Sequence, residues 1–443
     1  MSNTIWLLTE EKPKIHVVKT ILELHYKFEE NPGEEQTIIP LIKEKGNEGQ
    51  FDFRYELKGI TIPDVNHIYI KIVSGHSSFV DYLIFDQQNE PLPADLPKYV
   101  VEETKTDDKE SRNTNAYQRS SKFVFCEYYY DKTIPKYMLY DYSDGNREIS
   151  GTATHKFGMR MLKTIGVNLI GINDTYLAFD NLNEFINVKN EIAKNGKSHN
   201  VPLSITKVND TLLQVSAKLD KGSGKSKNRI SNDPSIGAVS IICAVLRKLG
   251  WEHNIELINH NLLEQNVSMK KGNKLLFIMK KLDITFKGFN LDWNSIDNNI
   301  NYWRYNTTSE KIASIFYHIY MDNYWKNKKC IFDNHAGCGK SYFLTKRGAH
   351  ISIDKKTPIP DLVIYDSERN HIDVIEAEKS ENYHKALLQL EGFEKFIDEY
   401  IKVYYGSNIT ISKSVLTYGK NENPENIFYL TKNGKFKFLN NHI

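Results

Sequence analysis

The feature that most constrains this chain is a pair of neighbouring strand-like segments in which charged residues end an apolar run. The segment "FVDYLIF" alternates as a strand and carries Asp81, and a proline-rich loop connects it to "YVVEETKT". Successive side chains of a strand point to opposite faces, so Val101, Glu103 and Lys105 share one face. If the two strands form a hairpin, Asp81 approaches Glu103, and carboxylates at that distance repel each other and invite a divalent cation.

Two carboxylates beside a lysine supply the groups that hydrolysis of a phosphodiester requires. Mg²⁺ prefers oxygen ligands and commonly takes one or two carboxylates, waters and a substrate phosphate. The reaction needs an activated nucleophile and positive charge near the phosphorus at the transition state. We therefore predict that Asp81 and Glu103 bind Mg²⁺ and that Lys105 assists the attacking water. The alternative is a solvated cross-strand pair of Glu103 and Lys105, because the Glu-x-Lys spacing alone is very common.

The residues "FVDYLIFD" and "YVVEETKTDDKESRNTNAYQRSSKF" together resemble the active site of the PD-(D/E)xK nucleases, in particular of type II restriction endonucleases. Val80 stands in place of the proline that gives the motif its name. The resemblance implies mixed sheets flanked by helices, Mg²⁺ as cofactor and double-stranded DNA as substrate. It also implies a helix that steadies the metal site or contacts DNA, and an ordinary exposed helix is the alternative. The candidate DNA contacts in this stretch are Arg112, Asn115, Gln118 and Arg119.

A second segment, "PIPDLVIYDSERNHIDVIEAEKSENYHK", repeats this arrangement towards the end of the chain. Asp361 opens a strand, and the following strand ends in two glutamates, Glu376 and Glu378, that share a face by alternation, whereas Lys379 points to the other side. The segment again resembles the PD-(D/E)xK pattern, now with the proline present and a glutamate at the lysine position. We predict that Asp361 and Glu376 bind metal and that Glu378 joins them in catalysis. The charged end of a β-hairpin is the alternative.

The order of periodic segments predicts a mixed α/β protein with three regions. Residues 1–150 are predicted as a nuclease-like domain in which "KFVFCEYYY" is another strand. Residues 151–330 are predicted as a largely helical region that links the domains or recognises DNA. Its helix "PSIGAVSIICAVLRKLGW" should begin at Asp233-Pro234, an N-cap followed by proline. Residues 331–443 are predicted as a second nuclease-like domain in which two strands precede a long amphipathic helix.

The middle region also contains the glycine- and serine-rich basic loop "KLDKGSGKSKNR". Lys225, Lys227 and Arg229 in this loop are candidate contacts to DNA phosphates, and a solvated linker is the alternative. The segments "GSGKS" and "GCGKS" lack the leading glycine of a phosphate-binding loop, so nucleotide hydrolysis is not expected. Four cysteines are too few and too scattered for a disulfide framework.

Composition excludes few functions. Hydrophobic residues make up 40% and charged residues 26% of the chain, as in globular proteins with a substantial core. No apolar run has the length of a membrane helix, and the N-terminus lacks the pattern of a signal peptide, so a cytoplasmic location is expected. The net charge of +2 neither supports nor excludes a DNA partner, because only the lining of a DNA-binding cleft must be basic.

The sequence therefore favours a type II restriction endonuclease that cuts double-stranded DNA at a defined sequence with Mg²⁺. Two centres in one chain would allow one cut per strand and suit an asymmetric recognition site, whereas a single-centre enzyme usually dimerises on a palindrome. The chain is accordingly expected to be a monomer or a homodimer, and a cognate DNA methyltransferase is the expected genetic partner. The alternatives are a structure-specific or repair nuclease, and a DNA-binding protein whose nuclease-like sites are inactive.

Overall fold

The computed structural model describes residues 3–10, 13–45, 50–75, 79–105, 115–141, 153–172, 175–195, 204–217, 235–259, 277, 280–287, 301–305, 327–334, 342–354, 356–418, 428–430 and 436–438. The chain divides into two compact units. The first comprises Met1–Gln36 and Gly59–Arg304, and the second comprises Thr37–Lys58 and Tyr305–Ile443. This division differs from the three regions expected from the sequence, because strands on both sides of residue 150 belong to one sheet.

The described elements form a mixed α/β fold, and the α/β class predicted from the sequence is confirmed at this level. The strands are β1 (Asn3–Thr9), β2 (Glu29–Glu30), β3 (Thr37–Lys45), β4 (Gln50–Lys58), β5 (Ile60–Thr61), β6 (Val65–Gly75), β7 (Tyr82–Asp86), β8 (Tyr99–Lys105), β9 (Lys136–Asp141), β10 (Val167–Ile170), β11 (Ser204–Asn209), β12 (Leu212–Ala217), β13 (Asn254–Asn259), β14 (Ile284–Phe286), β15 (Trp303–Tyr305), β16 (Lys328–Asp333), β17 (Tyr342–Leu344), β18 (His350–Ser352), β19 (Leu362–Asp366), β20 (His371–Lys379), β21 (Thr410–Tyr418), β22 (Phe428–Leu430) and β23 (Phe436–Phe438). The helices are α1 (Ile15–Glu23), α2 (Asn115–Tyr130), α3 (Ala153–Thr164), α4 (Leu182–Asn195), α5 (Ser235–Lys248) and α6 (Tyr383–Glu391).

The main sheet of the first unit contains β10, β9, β8, β7, β1 and β6 in this spatial order. Strand β7 is antiparallel to both β1 and β8, whereas β9 is parallel to β8. Helix α2 lies between β8 and β9 in the chain, because parallel neighbours need a crossover connection rather than a tight turn. The first four residues of β7 are all buried, as expected for a strand with both faces of the sheet covered.

The segment "KFVFCEYYY", predicted as a strand, lies instead in helix α2, so this prediction is wrong. Its apolar residues Phe123, Val124, Phe125 and Cys126 are consecutive and all buried. Helix α2 packs against both α3 and α5, so more than one side of it is covered. A short continuous apolar run therefore does not distinguish a buried helix from a buried strand.

The region predicted as largely helical contains a sheet as well as helices α3, α4 and α5. Strands β11, β12, β13 and β14 lie side by side, with β11 antiparallel to β12 and the other neighbours parallel. Strand β13 is formed by the segment "NIELIN". Helix α5 connects β12 to β13 and is buried along most of its length. The predicted cap Asp233 and the basic loop before it lie outside the described residues.

The second unit contains β16, β19, β20, β21, β22 and β23 in this spatial order, together with the hairpins β3–β4 and β17–β18. The predicted strands "DLVIYD" and "HIDVIEAE" are confirmed as β19 and β20. Helix α6 packs against β20 and β21 and shares one core with them. The predicted long amphipathic helix is interrupted after Glu391: a turn precedes Glu394–Phe396, the π-helix Ile397–Lys402 and Val403–Tyr405.

The two units share one order of elements. In the first unit, β1, β7 and β8 are antiparallel neighbours, helix α2 follows, and β9 pairs parallel to β8. In the second unit, β16, β19 and β20 are antiparallel neighbours, helix α6 follows, and β21 pairs parallel to β20. Both predicted sites therefore lie on the same two strands of the same arrangement. In the described part of the chain, no helix has the length and apolar character needed to cross a membrane.

Candidate functional site

The first site lies where β7 begins and β8 approaches its end. Tyr82 pairs with Val101 across these antiparallel strands, which places Asp81 opposite Glu102. The backbone N–H of Asp81 donates to Glu102 Oε2 at 3.1 Å. The carboxylate of Glu102 is fully buried and that of Asp81 is 34% exposed. We call these two residues the N-terminal carboxylate pair.

Two cations from helix α2 neutralise this pair. Lys122 Nζ lies 2.7 Å from Glu102 Oε1 and 3.1 Å from Asp81 Oδ1, so one ammonium bridges both carboxylates. Arg119 Nη1 lies 3.2 Å from Glu102 Oε1 and also donates to the backbone oxygen of Glu103. Arg119 and Lys122 are three positions apart and therefore share a face of the helix. Two negative and two positive side chains thus meet in a largely buried cluster.

The cluster shifts the proton affinity of its members in opposite directions. Burial and the neighbouring charge of Asp81 raise the pKa of Glu102 to about 7. Burial alone would raise the pKa of Asp81, but the charges of Lys122 and Arg119 hold that pKa below its ordinary value. Burial also opposes the charge of Lys122, yet the two carboxylates raise its pKa above the ordinary value. Asp81 and Lys122 are therefore ionised at neutral pH, and Glu102 titrates close to it.

Glu103, predicted as a metal ligand, does not bring its carboxylate to Asp81. Its Oε2 accepts a hydrogen bond from the hydroxyl of Tyr82 at 2.8 Å, whereas its backbone N–H donates to Asp81 Oδ2 at 2.8 Å. Glu102 and Glu103 are consecutive in a strand and face opposite sides of the sheet. Lys105 ends strand β8, and its side chain lies outside the described residues. The structure therefore joins Asp81 to Glu102 and Lys122.

Most of the predicted DNA contacts lie outside the part of the chain that the structure describes. This holds for Arg112 and for the loop residues Lys225, Lys227 and Arg229. Asn115 and Gln118 belong to helix α2, but their side chains are also outside the described set. Arg119 is described, and its guanidinium lies in the carboxylate cluster.

The second site repeats the first at the start of β19 and the end of β20. Leu362 pairs with Ile375, which places Asp361 opposite Glu376, and both residues are buried. We call them the C-terminal carboxylate pair. Glu378 lies two positions further along the same face of β20 and accepts a hydrogen bond from Asn382 Nδ2 at 3.3 Å. Lys385 in helix α6 holds its Nζ 3.6 Å from Glu378 Oε2.

The aspartates and the facing strand positions of the two sites correspond. In each, the aspartate accepts a hydrogen bond through Oδ2 from the backbone N–H of the residue after the facing glutamate, at 2.8 Å. Glu102 thus corresponds to Glu376, and Glu103 corresponds to Ala377. The same register aligns Lys105 with Lys379, whose side chain lies outside the described residues as well. An alanine at the position of Glu103 indicates that this carboxylate is not a shared part of the two sites.

A tyrosine from the end of the first unit fixes the backbone beside Asp81. The hydroxyl of Tyr302 accepts a hydrogen bond from the Val80 N–H at 2.9 Å. Tyr302 is buried, and its ring packs against Phe79 with the ring centroids 5.4 Å apart. Burial raises the pKa of Tyr302 well above its ordinary value, so the hydroxyl stays protonated. The segment that leads into strand β7 is therefore held by contacts to two consecutive residues.

Sequence reasoning missed Glu102, Lys122 and Tyr302. The spacing of Arg119 and Lys122 was a usable signal for the helix residue, because a helical reading of the whole segment 115–130 places both cations on one face. Reading "KFVFCEYYY" as a strand separated Lys122 from Arg119. No local pattern indicates Tyr302, because its partner lies in a distant part of the sequence.

The N-terminal carboxylate pair fits a Mg²⁺ ion. Within the described ranges, no group of three or more His, Cys, Asp or Glu side chains is placed to hold a metal ion. Mg²⁺ commonly takes only one or two carboxylates and completes its shell with waters and phosphate oxygens. The Lys122 ammonium already occupies a point that Asp81 Oδ1 and Glu102 Oε1 both address, at 3.1 and 2.7 Å. The pair is therefore arranged around a cation position.

Comparisons of the chain with protein-family models, with curated proteins and with solved structures found no match.

Proposed function

We propose that this protein is a Mg²⁺-dependent endonuclease of the type II restriction class, with a PD-(D/E)xK-type centre in each unit. The observation that carries the proposal is the repeated carboxylate pair. Within each unit, the aspartate of the pair faces its glutamate at the same point of the strand order. In each, the aspartate accepts a hydrogen bond from the backbone N–H of the residue that follows the glutamate. Two independent charged hairpin ends would have no reason to share this register.

The residues of the first site would have different roles in hydrolysis. Asp81 and Glu102 would hold the metal, which supplies a more acidic bound water and neutralises charge on the scissile phosphate. Arg119 keeps the Glu102 carboxylate in place, and the backbone N–H of Glu103 orients Asp81. Lys122 is the described cation nearest to the pair and offsets the charge of both carboxylates while no metal is bound.

In the second unit, Asp361 and Glu376 would hold the metal and Glu378 would complete the site. One centre per unit would allow one cut in each strand of double-stranded DNA, which suits an asymmetric recognition sequence. A cell that carries such an enzyme needs a cognate methyltransferase to protect its own DNA. We therefore expect a methyltransferase gene near this one.

A DNA-binding protein with inactive nuclease-like sites is the second candidate. The balance of charge in the first site favours it: two carboxylates face two cations, so the charges of the cluster are paired without a metal. Such a protein would bind DNA without a divalent cation and would leave it uncut. Assays of DNA cleavage and of divalent-cation binding distinguish the endonuclease from the inactive DNA-binding protein.

The first test is cleavage of phage DNA by the purified protein with Mg²⁺, compared with the same reaction in EDTA. Discrete bands that require Mg²⁺ are expected. Asp81→Asn and Glu102→Gln should each lower the rate of the first-site cut by at least about a hundredfold, because each removes a metal ligand from the transition state. Glu103→Gln should retain most activity, since its carboxylate contacts Tyr82 and not the pair.

The control variant is Glu23→Gln, which changes an exposed carboxylate at the end of helix α1. A smear in place of bands would favour a nuclease without sequence preference. Loss of first-site cutting in Glu103→Gln together with full activity in Glu102→Gln would restore the assignment made from the sequence. Specific DNA binding without cleavage in any cation would establish the second candidate.

A further inference from the structure

The Lys122 ammonium occupies the place in the first site where a bound cation would lie. Its Nζ is 2.7 Å from Glu102 Oε1 and 3.1 Å from Asp81 Oδ1. A Mg²⁺ ion that used the same two oxygens would lie about 2.1 Å from each. The ammonium and the metal would then share one small volume, and two positive charges at such a distance repel strongly.

We propose that Lys122 is a built-in competitor for the metal, which holds the carboxylate pair together in the cation-free protein and is displaced when a divalent cation binds. This inference rests on the proposed function, because it takes the N-terminal carboxylate pair as the metal site. It assigns to Lys122 a role that acts before any substrate arrives. The lysine keeps two facing carboxylates from repelling each other and thereby keeps the site assembled.

The neighbouring Arg119 has a different position and stays in place. Its guanidinium contacts Glu102 and also donates to the backbone oxygen of Glu103, so it is fixed at two points. Lys122 contacts only the two carboxylates among the described residues, and its side chain is 27% exposed. A flexible lysine side chain with part of its surface in solvent can swing away, whereas a guanidinium fixed at two points is held.

Replacing Lys122 should change the affinity for metal in the direction opposite to that expected for a residue that supports a metal site. Removing a residue that only shapes a metal site weakens metal binding. Removing the competing ammonium leaves Asp81 and Glu102 with a single neighbouring cation, Arg119, so an incoming metal ion meets less positive charge. Lys122→Met should therefore bind a divalent cation more tightly than the wild-type protein, by about tenfold.

The experiment is a calorimetric titration of the cation-free protein with Ca²⁺, without DNA, in mildly alkaline buffer. The proteins compared are the wild type, Lys122→Met, Asp81→Asn and the control Lys132→Met, in which an exposed lysine just beyond helix α2 is changed. We expect tighter binding only in Lys122→Met and lost binding at this site in Asp81→Asn. Equal or weaker binding in Lys122→Met would overturn the inference.

A second measurement on the wild-type protein covers the case in which Lys122→Met does not fold. An amine-reactive reagent labels lysines in proportion to their exposure, and mass spectrometry identifies the modified position. Labelling of Lys122 should increase several-fold with saturating Ca²⁺, while labelling of Lys132 stays constant. Calcium binding that requires Asp81 but leaves Lys122 labelling unchanged would refute displacement and keep the metal site. Absence of Asp81-dependent binding in every protein would remove the metal site itself.

Discussion

At the scale of single residues, buried charges in the first unit are compensated to very different degrees. Glu102 is fully buried but meets two cations. Lys189 of helix α4 is only 2% exposed, and burial alone lowers its pKa to about 8. Within the described part of the chain, no carboxylate forms an ion pair with it. The charged form of Lys189 therefore opposes folding, in contrast to the charges at the carboxylate pair.

Lys189→Met should stabilise the protein at neutral pH. The pKa of Lys189 falls from 10.5 to about 8 on folding, so the unfolded chain binds more protons between these values and stability rises with pH there. Below both values the buried charge costs about 3 kcal/mol, and Met removes that cost. Urea unfolding should show a larger free energy of unfolding for Lys189→Met than for the wild type near pH 7. Most of this difference should be lost near pH 10.

The control for this prediction is Lys248→Met, in which an exposed lysine of the same unit is changed. That variant should unfold at nearly the wild-type urea concentration at either pH. If Lys189→Met is no more stable than the wild type at neutral pH, then the ammonium of Lys189 has favourable interactions in the folded protein.

At the scale of elements, the sequence predicts which residues of a strand share a face. It does not predict which of them lie opposite a given residue of the neighbouring strand. Alternation correctly separated Glu102 from Glu103. Which of the two faces Asp81 depends on the register of β7 against β8, and a shift of one residue exchanges the two faces. The long loop between these strands carries no turn signal that fixes the register. The sequence therefore identified both pairs of strands but selected Glu103 where the structure places Glu102 opposite Asp81.

Tyr302→Phe tests whether a distant element supports the first site. The variant keeps the ring against Phe79 but leaves the buried Val80 N–H without its acceptor, which costs about 1–3 kcal/mol. Because Val80 precedes Asp81, Ca²⁺ binding should weaken several-fold as well. Urea unfolding measures the change in stability, and a calcium titration measures the change in Ca²⁺ affinity. Reduced stability with unchanged calcium affinity would show that Tyr302 stabilises the unit without positioning Asp81.

At the scale of the whole molecule, the chain carries one carboxylate pair in each of two units. The strands that carry both pairs could be identified from the sequence, because in each case the two strands lie close together in the chain, but Glu102 itself was missed. The composition of the units could not be predicted, because the second unit takes residues 37–58 from between two segments of the first. Local periodicity carries no information on such long-range grouping.

Asp361→Asn and Glu102→Gln should each yield an enzyme that nicks DNA. If each centre cuts one strand, loss of a metal ligand abolishes one cut and spares the other. Supercoiled plasmid would then accumulate as open circles, and primer extension should place the remaining break on opposite strands in the two variants.

Double-strand breaks by Asp361→Asn at the wild-type rate would mean that the C-terminal carboxylate pair is a charged hairpin end and that a dimer cuts both strands. Loss of all cleavage in both variants would mean that the centres are coupled. A thermal melt of each variant excludes loss of folding as the cause.

The hydrogen bond between Val80 and Tyr302 joins residues 222 positions apart, and this separation sets an order of events during protein synthesis. A ribosome that adds about 5–20 residues per second needs roughly 10–40 s to proceed from one to the other. From the addition of Lys122 until the addition of Tyr302, the nascent chain contains Asp81, Glu102 and Lys122 but lacks the residue that fixes the strand beside them. A nascent or prematurely terminated chain therefore carries the chemical groups of the first site without its complete support.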